Sequence, residues 1–188
     1  MDWDELQRTL DEISDVDNRA RRIAEYERLL ASMQEGEEGR AEVLSWLGTD
    51  LTGDRRLDDA RASYEKAIAD GGRMVLDPRI GLLNVALAED DDARVDELLA
   101  ALLTTSRADE LVIGDYEWIG DSLEEAGRLR TALRWFTIPL RDIQPGDVDR
   151  MPILALDGRW RVRRALDLPV DAYDEARELW HELNAAQT

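Results

Sequence analysis

Apolar residues recur along the chain at helical spacing. Trp3, Leu6, Leu10 and Ile13 fall on one face of a first predicted helix, and Ile23, Tyr26, Leu29, Leu30 and Met33 on one face of a second. Alternating runs rich in Val, Ile or Thr are absent, as are hairpin turns between two such runs. Start and stop signals separate the helical stretches: Asp17-Asn18, Gln34 to Gly39, Gly53-Asp54, Gly71-Gly72, Asp90 to Asp92, Ser106, Gly127, Pro145-Gly146, Asp157-Gly158 and Pro169 to Asp171. The pattern predicts an all-α chain of about ten helices, near 3–14, 18–33, 39–52, 56–70, 77–88, 92–104, 108–125, 128–141, 150–166 and 171–186. Pro139 should kink the eighth helix or end it early, because it removes one amide donor and clashes with the preceding turn.

Two windows repeat each other. Trp46-Leu47-Gly48 is followed by Leu51, Leu57, Ala60, Tyr64, Ala67 and Ile68, and Trp118-Ile119-Gly120 is followed at the same spacings by Leu123, Leu129, Ala132, Phe136, Pro139 and Leu140. A glycine in one helix and an alanine in the next let two backbones cross closely, and the aromatic one turn later fills the groove between them. A hairpin built this way leaves apolar surface for neighbouring hairpins to cover.

These windows resemble the tetratricopeptide repeat. Leu47-Gly48 with Ala60, Tyr64 and Ala67, and Ile119-Gly120 with Gly127, Ala132 and Phe136, match its leucine-glycine, turn-glycine, alanine and aromatic positions. Leu44 and Tyr116 stand where the family usually has tryptophan, Pro139 replaces its second alanine, and Arg55 replaces the turn glycine of the first window. A degraded copy lies at Gly81, Ala93 and Ala100, with Glu97 at the aromatic position. Gly158 to Leu166, with Leu168-Pro169 and Asp171 to Asp174, is loosely similar to the tail of some bacterial repeat proteins of this kind. The resemblance implies antiparallel hairpins stacked as a right-handed superhelix, an α-solenoid. It implies one domain over 1–188: an N-terminal hairpin at 1–38, repeats at 39–141 and capping helices at 142–188.

Charge narrows the function. The chain carries 43 acidic and 24 basic side chains, a net charge of -19. Such a field repels phosphate backbones and anionic lipid, which argues against nucleic-acid and membrane partners. The arginines Arg159, Arg161, Arg163 and Arg164, with Arg128, Arg130 and Arg134 earlier, are read as partners of nearby carboxylates rather than as a phosphate site. No apolar run reaches the length of a membrane span, and the acidic start is unlike a signal peptide, so a cytoplasmic location is expected.

Candidate chemistry is sparse. The chain has no cysteine and one histidine, His181, and lacks a glycine-rich phosphate loop or nucleophile elbow. Acidic runs such as Glu37-Glu38 and Asp90 to Asp92 read as solvated helix starts, the latter without the ligand spacing of a calcium loop. The sequence therefore predicts a non-enzymatic protein without catalytic residues, metal or cofactor. By resemblance, Glu42, Ser45, Trp46, Thr49 and Thr52 in one repeat and Gly114, Glu117, Trp118, Asp121 and Glu124 in the other point to the concave side. The predicted binding groove is then Glu42, Trp46, Thr49, Glu117, Trp118, Asp121 and Glu124, acidic and aromatic, which suits a neutral or basic peptide or protein segment. Trp46 and Trp118 serve either as anchors there or as packing between repeats. Two other readings compete: a self-associating module forming a homodimer, and an acidic mimic of nucleic acid.

Overall fold

A computed structural model of the chain describes residues 2–185. Among the described residues it is all-helical: α1 (Trp3–Ser14), α2 (Arg19–Ala31), α3 (Arg40–Gly53), α4 (Leu57–Asp70), α5 (Pro78–Ala88), α6 (Asp92–Arg107), α7 (Ile113–Glu125), α8 (Leu129–Thr137), α9 (Ile153–Ala165) and α10 (Ala172–Ala185). Single 3-10 turns occur at Ile138–Leu140 and Val148–Arg150. Residue 186, the predicted end of the last helix, lies outside the described residues.

The start signals act as caps. The side chains of Asp2, Asn18 and Asp91 accept from the amides of Glu5, Arg21 and Arg94 at 2.8, 3.0 and 3.0 Å, each taking up an amide of the first turn that has no partner within the helix. Asp77 caps α5, which opens on Pro78, where a missing amide costs nothing.

Four boundaries move by three residues or more from the sequence expectation: the end of α6, from 104 to Arg107, and three others that each have a local reason. Helix α7 starts at Ile113 rather than near 108, because Asp109 has a positive φ of 56° and Val112 is extended. The Asp115 carboxylate then accepts the Val112 amide at 2.8 Å and fixes the new start. Helix α8 stops at Thr137, and Pro139 sits in the 3-10 turn that follows. Helix α9 begins at Ile153 because Pro152 occupies its N-cap and disfavours a helical Met151.

The chain divides into two compact units, Met1–Ala108 and Asp109–Thr188, with the boundary inside the stretch 39–141 that the repeats occupy in sequence. In the first unit each helix packs on the next from α1 to α6, and α5 also packs on α3. In the second, α7, α8 and α9 pack on one another and α10 packs on α9.

One packing device recurs in both units. A Cβ built on Gly48 would stand 2.7 Å from the Tyr64 ring, and one on Gly81 would meet the same ring more closely still. Gly120 and Gly158 clasp the Phe136 ring in the same way. Each ring, projecting from α4 or α8, thus lies against a glycine of the helix before it and a glycine of the helix after it. Ala60 and Ala132, both fully buried, let the hairpin backbones approach. Gly81, which in sequence belongs to a degraded third copy, closes the first copy in space. Helix α6 carries no ring at Glu97; Val95, Leu98 and Leu102 fill its core face instead.

Charged ties hold helix to helix. Arg22 binds Asp50 through two nitrogens at 2.8 and 2.5 Å, joining α2 to α3, and Arg40 pairs with Asp70 between α3 and α4. In the second unit Arg159, 6% exposed, reaches Asp171 at 2.6 Å and Asp174 at 3.4 Å, while Arg163 reaches Asp174 at 3.0 Å. These bonds attach α10 beside an apolar cluster of Leu140, Met151, Leu156 and Ala176. Buried ion pairs set geometry more than they add stability, and removing one partner strands the other.

Candidate interaction surface

In the first unit, the predicted groove residues are largely engaged within the fold. Glu42 is buried, 3% exposed. Its carboxylate accepts the Trp46 indole N–H at 3.0 Å and the Val75 amide at 2.9 Å, so it ties the segment leading into α5 to α3. Trp46 is half-buried and tilted against Tyr26, ring centres 6.4 Å apart. Thr49 is exposed, but its hydroxyl lies 3.1 Å from both the Ser45 carbonyl and the Tyr64 hydroxyl. Ser45 and Thr52 donate back to the carbonyls of Ala41 and Gly48 at 3.0 and 2.8 Å, the usual resort of a hydroxyl inside a helix. Burial raises the Tyr64 hydroxyl above its ordinary pKa, the Thr49 and Thr52 hydroxyls pulling the other way.

The second unit keeps its predicted residues nearer to solvent. Trp118 is 46% exposed on α7. Glu117 and Asp121 lie one turn apart on that helix, with Glu124 the next step along it. Arg161, on α9, enters this row. Its guanidinium reaches Asp121 at 2.7 Å and Glu124 at 2.8 Å. Three carboxylates and one guanidinium leave the row negative, and the Glu124–Arg161 bond lifts the arginine above its ordinary pKa.

Glu117 faces a different partner. Burial raises its carboxyl above the usual range, offset by a hydrogen bond from the Ala155 amide and reinforced by Asp121. Ala155 is in the first turn of α9, whose N-cap, Pro152, offers no side-chain acceptor. The Glu117 charge suits the positive end of α9. Burial likewise raises Asp121, against the pull of Arg161.

The arginine cluster resolves into internal contacts. Arg159, Arg161 and Arg163 pair with carboxylates as expected from sequence, and Arg164 lies over the Trp160 ring at 5.1 Å. Arg177 covers the same ring at 4.2 Å and binds Asp157 at 2.5 Å. His181 shares that carboxylate at 2.9 Å and stands edge-on to Trp180. The Asp157 partner was invisible to local spacing because the turn between α9 and α10 brings it close. Among the described residues, no group of three or more acidic or histidine side chains is placed to hold a metal ion, and no helix is long and apolar enough to cross a membrane.

No family model, no curated protein and no solved structure matches the chain.

Sequence reasoning expected Arg161 to pair with a carboxylate but missed that its partners are Asp121 and Glu124 of the predicted groove. The available signal was Gly158: once this glycine is recognised as the second clasp on Phe136, the residue one turn beyond it on α9 must face the residue after Gly120 on α7, which is Asp121.

Proposed function

We propose that the protein is a non-enzymatic interaction scaffold built of tetratricopeptide-like hairpins, and that it takes a neutral or basic protein segment on the α7 surface around Trp118. The hairpin reading is supported by the two glycine-ring-glycine clasps, each joining a hairpin to the helix that follows. The observation that carries the binding reading is Trp118 itself. A tryptophan left 46% exposed beside Glu117 and Asp121 offers a stacking face next to negative charge, which suits an arginine or aromatic side chain. Glu42 does not take part, because its carboxylate is spent inside the first unit.

A peptide-display selection on the wild-type protein, counter-selected on Trp118→Ala, tests this. Selected peptides should be rich in arginine with aromatic neighbours, bind less tightly as salt rises, and lose affinity for Asp121→Arg. Peptides that bind wild type, Trp118→Ala and Asp121→Arg alike would place the surface elsewhere.

Self-association is the second reading, favoured by Leu179 and Leu183, which are 45% and 49% exposed one turn apart on α10. A monomeric mass by light scattering, unchanged with concentration, would dismiss it.

A further inference from the structure

The α1–α2 hairpin has two working sides. Leu6, Leu10, Ile23 and Tyr26 are buried in the core of the first unit. A second stripe lines an open groove of about 550 Å³: Thr9 and Ile13 on α1, Val16 in the turn, Leu29 on α2 and Ser32 at its C-terminal cap. That is the volume of an ordinary ligand cleft. Its hydroxyls are already used, since Thr9 donates to the Glu5 carbonyl at 2.9 Å and Ser32 to the Leu29 carbonyl at 2.7 Å. What the floor offers is apolar contact through Ile13, Val16 and Leu29.

The walls carry a net negative charge. On α2, Glu25 and Arg28 pair with each other and cancel. On α1, Glu12 lines the groove, no cation among the described residues pairs with it, and Asp11 and Asp15 are exposed beside it. The occupant must therefore be apolar on one side and basic along its edge.

We propose that this groove receives one basic amphipathic helix of a partner protein. The lining stretches, 9–16 and 25–32, give walls of about two turns, about 11 Å long, and a third helix laid between them packs by the same ridge-and-groove fit that joins the rest of the chain. Apolar anchors one and two turns apart would reach Ile13, Val16 and Leu29, with lysine or arginine against Glu12. A second copy of the chain is the poorer occupant. Its exposed stripe, Leu179 and Leu183, is bordered by Glu175, Glu178 and Glu182, which the Glu12 wall repels. This proposal stands on the first unit and does not depend on Trp118.

The test uses a fluorescein-labelled peptide of about 14 residues, a helix that covers the lined stretch with about a turn to spare at each end, with leucines on one face and lysines and arginines on the other. A counterpart carries glutamate in place of every cation. Anisotropy titrations against wild type should show binding of the cationic peptide, accompanied by a rise in its helicity, and little binding of the anionic one. Glu12→Lys and Leu29→Gln should each weaken binding about tenfold. Glu12 is exposed, so its substitution tests the groove without disturbing the hairpin. Equal affinity for wild type and Glu12→Lys, equal binding of the two peptides, or loss of binding on Trp118→Ala alone would each overturn the proposal.

Discussion

Gly158→Ala isolates the clasp around Phe136. An alanine would normally stabilise a helix interior by about 1 kcal/mol relative to glycine. At position 158 the new methyl enters the Phe136 ring, which is fully buried. The ring cannot retreat, because Gly120 already lies within contact distance of it from α7. Overpacking of a closed site costs about 1–3 kcal/mol, and a trapped ring belongs at the upper end of that range. The net expectation is a loss of about 2 kcal/mol after the helical gain is subtracted. Urea unfolding followed by circular dichroism would show it as a lower midpoint at unchanged slope. Gly146→Ala is the control: nothing lies within 4 Å of its added methyl, so stability should be unchanged or slightly higher. Phe136→Leu should relieve most of the Gly158→Ala penalty in the double variant, giving a coupling that independent sites would lack. A Gly158→Ala protein as stable as wild type would mean that the ring does not rest on this glycine.

Three further outcomes follow from the same structure. Ala132→Leu should cost about 1–3 kcal/mol, read from the urea midpoint, because Ala132 is fully buried at the hairpin crossing. The α9–α10 attachment should weaken in acid: burial alone would raise the Asp171 carboxyl, but Arg159, the Asp174 amide and Arg163 outweigh it and hold it below its ordinary 3.8. A lowered folded value means that its stabilisation is present above the unfolded value and is lost as pH falls through the folded one, so Asp171→Asn should flatten the acid limb of a pH–stability profile. Glu117→Gln should be neutral or mildly stabilising near neutral pH, since the amide oxygen still accepts from Ala155 and a carboxylate raised by burial no longer has to ionise; a clear loss of stability would argue that the charge itself supports α9.

Helices and their ends were legible because they are written locally. The stripe Leu6, Leu10 and Ile13, the caps Asp2 and Asn18, and the proline that ends α8 each act within a few residues, and the structure follows them. The first clasp was legible too, through the shared spacing of Gly48 with Tyr64 and of Gly120 with Phe136. Its second half was not, since the segments from Tyr64 to Gly81 and from Phe136 to Gly158 differ in length and hide the equivalence. The same gap hid which carboxylates Arg161 meets. Glu42 shows the converse: a carboxylate reads as surface by type, yet two donors, one of them beyond α4, hold it inside. Pairing across a loop of variable length leaves no period for a single sequence to display.

The shared rings also define how the chain can be cut. A fragment ending after α4 would keep the whole α3–α4 hairpin and still leave the side of Tyr64 that meets Gly81 in water; one ending after α8 would do the same to Phe136. The smallest excisable piece around either ring is three helices, not two. Insertions or deletions accumulated over descent should for the same reason respect the triplets α3–α5 and α7–α9, collecting in the segments between Asp70 and Pro78 and between Leu140 and Ile153, where length can change without moving a glycine off its ring.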